Sequence, residues 1–144
     1  MESQKFESKF VVRLDRGEEI IATLQQFCEE QKIKLATVSG IGAVEKAVLG
    51  FFDTQTKEYH SRELPGGFEL VSLTGNISTM DGKTYLHLHA NLADTDQNSF
   101  GGHLSSAVVS ATCEIVIERI EGTVEREFSD EIGLNVLKFI SPET

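Results

Sequence analysis

The chain has 144 residues, with 23 Asp and Glu against 13 Lys and Arg, for a formal net charge of −10. That length fits one domain with a sizeable core and leaves no room for a second of ordinary size. The charge argues against generic attraction to a phosphate backbone, because such binding is driven by Lys and Arg releasing counterions. Two cysteines occur, Cys28 in a helical pattern and Cys113 in a strand pattern, without Cys-x-x-Cys spacing; they read as buried thiols rather than a disulfide framework. The opening residues lack the basic-then-apolar build of a secretion signal, and no apolar run approaches the ~18 residues of a membrane span. A soluble, cytoplasmic protein is the expectation.

Residues 6–14 alternate, with Phe6, Ser8, Phe10, Val12 and Leu14 on one side, as a half-buried strand would. Asp15 then offers an N-cap, with Glu18 three places on to complete a capping box. Ile20, Ile21, Leu24, Phe27 and Cys28 follow as one apolar stripe at helical spacing, the one strong helix of the chain. From Leu35 the period changes to that of a short strand interrupted by Gly40-x-Gly42. No third glycine follows at the spacing of a dinucleotide fingerprint, so the pair reads as a bend or bulge between strands, not as a phosphate loop.

Residues 43–53 read as a strand, 54–57 as a polar hairpin turn and 58–64 as its return, with His60 a solvated strand residue. Pro65-Gly66-Gly67 reads as a breaker, and residues 68–79 as a long strand. Asp81-Gly82 is a short hairpin signal that delivers the chain into Tyr85-Leu86-His87-Leu88-His89-Ala90-Asn91-Leu92. In a strand, Leu86, Leu88, Ala90 and Leu92 share one face while Tyr85, His87, His89 and Asn91 share the other. Residues 94–99 read as polar loop, Gly101-Gly102-His103 as a flexible segment able to swing a third imidazole in, 108–120 as a long strand and 130–139 as a last strand. One helix among about seven strands joined by short turns predicts an α+β fold, a mainly antiparallel sheet with the helix packed on it. The whole chain, 1–144, reads as a single domain with its core at about 6–140, and its long sheet edges call for cover by oligomer formation.

Two imidazoles at i and i+2 of a strand lie roughly 6.5–7 Å apart at Cα, and their rings tilt readily toward an ion with Zn–N bonds of about 2.0–2.1 Å. His87, His89 and His103 are therefore the candidate metal ligands, zinc being the divalent ion that suits neutral imidazole. Three protein ligands leave a position for a water that the metal makes nucleophilic near neutral pH. For a general base, Glu69, Asp94 and Glu114 are all candidates by strand order, and the pattern does not choose among them. The alternative for His87 and His89 is a polar strand face or an oligomer contact, and for His103 a loop residue.

With these motifs in place, the chain resembles the plants-and-prokaryotes-conserved (PPC) domain family over roughly residues 6–140. The resemblance is carried by Arg16-Gly17-Glu18-Glu19, Val38-Ser39-Gly40-Ile41-Gly42-Ala43, Gly67-Phe68-Glu69-Leu70, His87-Leu88-His89-Ala90 and Gly101-Gly102-His103-Leu104, together with residues 47–53 and 71–77. It implies a PPC-like α+β domain assembled as a homotrimer, with His87, His89 and His103 at positions where prokaryotic members look able to hold a divalent metal. It also implies an association with DNA, since plant members carry the domain beside an AT-hook and stand-alone members are often labelled DNA-binding by that analogy. The Arg-Gly-Arg-Pro core of an AT-hook is absent: the two prolines, Pro65 and Pro142, stand in other contexts. The family's Gly-Arg-Phe-Glu-Ile-Leu partner segment has a glycine in the place of its arginine. Three expectations result: a trimeric metal-binding domain, a DNA-associated interaction module working through a partner, and a metal-dependent hydrolase or lyase acting on a small molecule.

Overall fold

Eight strands and one helix make up residues 1–140, the residues that the computed structural model describes. Strand β1 (Glu2–Phe6) turns back through Glu7 into β2 (Lys9–Asp15), whose Phe10, Val12 and Leu14 point into the core as their alternation predicts. The pattern gives no sign of β1, whose first four residues are polar, and Phe6 does not open an inward-facing strand over 6–14: it ends β1, 52% exposed, before the turn at Glu7-Ser8.

Helix α1 (Ile20–Glu30) starts later than the Asp15 cap predicts. Its N-cap is Glu19, whose carboxylate accepts from the amides of Ile21 at 3.1 Å and Ala22 at 2.6 Å. The expected box exists but closes a turn of its own: Glu18 accepts from the Asp15 amide at 2.7 Å, and the Glu18 amide returns a bond to the Asp15 carbonyl at 3.2 Å. That turn belongs to the sheet, since Gly17 donates to the Val109 carbonyl and Val109 to that of Glu18. The helix buries Ile20, Leu24, Phe27 and Cys28, with Phe27 edge-on to Phe10 at 5.5 Å. Each large side chain so buried stabilises the fold by about 1.5–3 kcal/mol.

The remaining strands are long: β3 (Ala36–Asp53), β4 (Glu58–Met80), β5 (Lys83–Ala93) and β6 (Ser99–Arg119), followed by a short hairpin of β7 (Glu125–Ser129) and β8 (Leu134–Lys138). Strand β3 pairs with β4 and β6, and β5 also pairs with β4 and β6, all antiparallel, so four strands close a hydrogen-bonded circuit. Closure removes the free edges of these central strands. Strands β2 and β1 extend the sheet beyond β6, and β7 joins β4 through one parallel bridge, Thr79 to Glu125. The result is a mixed eight-stranded sheet with one helix.

Two differences from the sequence pattern share one cause, the β-bulge. Pro65-Gly66 does not break the chain: two residues there oppose the single Lys46, and β4 runs on. Gly40-x-Gly42 lies opposite a second bulge inside a continuous β3: its Ile41 faces both Val71 and Ser72, so the extra residue is on β4. That extra residue, Val71, puts Leu70 and Leu73 both in the core, where strict alternation would separate them.

Gly75 shows how tightly β4 and β5 approach: a Cβ there would collide with the carbonyl of His87. Gly67 has no such neighbour. Gly75→Ala is therefore expected to cost about 3 kcal/mol in urea unfolding, whereas Gly67→Ala changes stability by about 0.5 kcal/mol or less; equal effects would contradict this packing.

Candidate metal centre

The Asp81-Gly82 turn, with φ of +52° and +75° at its two residues, pairs Met80 with Lys83 and sets the register of β5. Along that ladder His87 lies opposite Asn76 and His89 opposite Thr74. Leu88, Ala90 and Leu92, which alternate with them along the strand, are buried, so the histidines take the other face. The third histidine does not ride on a loop. Residues 99–103 form the first part of β6, and His103 pairs directly with His89 on one side and with Gly50 on the other. Gly102 permits this: a Cβ there would sit 2.6 Å from the Gly50 carbonyl oxygen.

The three rings form a near-equilateral triangle, with centroids 5.3, 5.5 and 5.7 Å apart. One ring nitrogen from each lies within 4.8 Å of the others. Three nitrogens on a tetrahedral zinc stand about 3.3 Å apart, a difference that side-chain torsions absorb without moving the strands. Burial first, then the positive charge of neighbours, holds His87 and His103 below the ordinary histidine pKa: Arg126, His103 and His89 act on His87, and His89 acts on His103. These two rings are thus kept in the neutral form that ligates metal. Tyr59 forms one wall, its ring edge-on to His103 at 5.8 Å and its hydroxyl 3.2 Å from Ser105 Oγ.

Residues 1–121 match the Plants and Prokaryotes Conserved (PCC) domain. The chain belongs to this family. Among solved structures it is similar to a protein from Bacteroides thetaiotaomicron described as a proposed DNA-binding protein, with a TM-score of 0.94 and 34% identity over 96% of both chains. A PPC protein from Pyrococcus horikoshii matches with a TM-score of 0.84 and 29% identity, over 97% of this chain and 95% of the other. A protein from Archaeoglobus fulgidus described as metal-containing matches with a TM-score of 0.86 and 37% identity, over 96% of this chain and all of the other. The bifunctional protein GlmU of a Synechococcus strain is 31% identical over 110 residues, which is 75% of this chain but 16% of GlmU.

In this PPC domain none of the three carboxylates considered as bases joins the histidine group. Glu69 and Glu114 line a groove with Ile41 and Val71 instead, and Asp94 accepts from the amides of Asp96 and Asn98 in its own loop. His60 is exposed, 3.9 Å from Glu58. The residue that sequence reasoning missed is Arg126, on β7. Its guanidinium donates to Ser78 Oγ at 2.8 Å, to the Asn135 carbonyl at 3.1 Å and to Asn76 Oδ1 at 2.9 Å, and stacks 4.7 Å from the Tyr85 ring centroid. In the sequence it is one basic residue among acids, indistinguishable from a solvated charge.

The lowered histidine pKa values have a consequence for the metal-free protein. Between those values and 6.5, the unfolded chain binds more protons than the folded one, so stability falls as pH drops through that window. The melting temperature of the metal-free protein is expected to fall from pH 7 to pH 5.5, and to fall less in a His87→Gln/His103→Gln variant. An identical slope in both would contradict the assignment.

Proposed function

We propose that this domain binds one divalent metal ion per chain, zinc foremost, through His87, His89 and His103, that it leaves a coordination position open to a small ligand, and that it acts as a homotrimer. The observation that carries the reading is the convergence of three ring nitrogens from two adjacent strands, two of the rings held neutral by their surroundings. Neutral imidazole is a good ligand for zinc and its neighbours. A relative 37% identical to this chain is described as metal-containing, which supports the same reading.

An exposed apolar stripe supports the trimer. Val11 and Val116 face each other across β2 and β6, and beside them stand Ile41 and Val71, 54% and 52% exposed. Arg13 and Glu114, also cross-strand partners, add polar groups to this groove. A grooved apolar sheet face of this kind suits burial against further copies of the chain. No helix among the described residues is long and apolar enough to cross a membrane, and the reading retains a cytoplasmic, soluble protein.

Two of the similar solved structures are described as proposed DNA-binding proteins. With a net charge of −10 this chain has little electrostatic footprint for a duplex, so the proposal gives DNA no direct contact and leaves any association to a partner. The hydrolase or lyase reading has its open metal position but no carboxylate base within the histidine group.

Elemental analysis of the purified protein beside His89→Ala, with the mass of each measured by light scattering, tests both parts. The expected result is about one metal per chain in the natural protein, a loss of at least tenfold in the variant, and about three times the 15.9 kDa chain mass in both. Ile41→Asp is expected to give the single-chain mass with the metal retained. Equal metal in the natural protein and His89→Ala would overturn the site, and a single-chain mass for the natural protein would overturn the trimer.

A further inference from the structure

Arg126 is a cation set into the fold without an anion. It is 7% exposed, and its three hydrogen bonds go to neutral oxygens of Ser78, Asn135 and Asn76. The two acids flanking it on β7 are engaged elsewhere: Glu125 accepts from Thr79 Oγ1 at 2.8 Å, and Glu127 pairs with Lys138 at 2.8 Å. Among the described residues no carboxylate stands within ion-pair distance of it, in a chain with 23 acidic residues. A buried guanidinium held by neutral partners carries a desolvation cost that an anion would offset. A guanidinium has five N–H groups, of which these bonds occupy three.

Its position connects this charge to the histidines. Asn76, which accepts from Arg126, is the cross-strand partner of His87, and Tyr85, on which Arg126 stacks, precedes His87 by one pleat on the same face. Asn135 fastens the other side of the network, its amide 3.3 Å from the Tyr85 hydroxyl. The guanidinium is thus fixed in orientation from four sides beside a ligand set that brings no negative charge of its own. A divalent ion on three neutral imidazoles keeps both its charges, and the adjacent fixed charge is positive too. Such a site is complementary to a small anion with two or more oxygens, one for the metal and one for the arginine.

We infer that the centre takes a small oxyanion, a carboxylate or a phosphate, which fills the open metal position and is held in place by Arg126. The inference rests on the metal reading given above, and deepens it by naming the ligand class. Arg126 acts here as a binding residue for the anion and not as a ligand of the metal.

The test uses the whole protein loaded with cobalt(II), whose visible absorption reports changes in coordination. Oxalate, acetate and inorganic phosphate are titrated separately, with neutral imidazole as control, into the natural protein, Arg126→Lys and Arg126→Met. The expected result is that at least one oxyanion shifts the cobalt spectrum with a Kd at least tenfold weaker in Arg126→Met and intermediate in Arg126→Lys, while cobalt stoichiometry and imidazole binding stay the same in all three. Which oxyanion binds more tightly separates the carboxylate from the phosphate. Should Arg126→Met fail to fold, Arg126→Lys carries the comparison, since a lysine keeps the charge and loses the fork; a Kd at least threefold weaker is then expected. Cobalt binding with no oxyanion effect, or with equal oxyanion affinity in the natural protein and the variants, overturns this inference alone. Failure of the natural protein to bind cobalt at all overturns the metal site and the inference together.

Discussion

The register of β5 against β4 is the constraint on which the rest of the molecule depends. It is set at one end by the Asp81-Gly82 turn and along its length by Leu88, Ala90 and Leu92, which are buried with the core. Because side chains alternate with a period of two, a slip of one residue would turn His87 and His89 inward and these apolar residues outward. Burying two imidazoles while exposing a leucine pair would lose several kcal/mol, on the order of 2 per side chain, so the core itself enforces the geometry of the site. Closure of the circuit through β6 then brings His103 opposite His89. The histidine face is a by-product of a well-packed opposite face.

Much of this was legible in the sequence because it rests on local rules. The alternation in residues 85–92 assigned the faces, the short Asp-Gly turn assigned the hairpin, and the apolar stripe from Ile20 to Cys28 assigned the helix. What local rules missed was long-range accommodation. Pro65-Gly66 is a breaker in isolation, yet a partner strand with one fewer residue converts it into a bulge. Gly101-Gly102 looks flexible in isolation, yet both lie within β6, and the close approach of the Gly50 carbonyl shows that Gly102 serves proximity between strands, not mobility. The helix cap moved from Asp15 to Glu19 because the Asp15 turn was already claimed by hydrogen bonds from β6, and Glu19 itself reaches the Ala107 amide at 3.0 Å. Arg126 was not legible at all, since its role depends on a hairpin folding back over β4 and β5.

The electrostatics of the centre run against those of the chain. Acidic residues outnumber basic ones, but the carboxylates nearest in strand order are turned to the open sheet face or into their own loop. The histidine face keeps neutral donors and a fixed arginine, with two aromatic rings, Tyr59 and Tyr85, beside them. Neutral ligands leave a bound ion strongly Lewis acidic, because no ligand charge offsets its own. The same arrangement favours an anion at the remaining position. Family membership accounts for the fold, and the proposed chemistry rests on the histidine cluster, since the fold alone does not define it.

The central claim is that the three histidines share one ion, and X-ray absorption at the zinc edge of the zinc-loaded protein tests it most directly. The account predicts the multiple-scattering signature of three imidazoles with zinc–nitrogen distances of about 2.0–2.1 Å and one further light ligand. Sulfur scattering at about 2.3 Å, or fewer than three imidazoles around the ion, would contradict it.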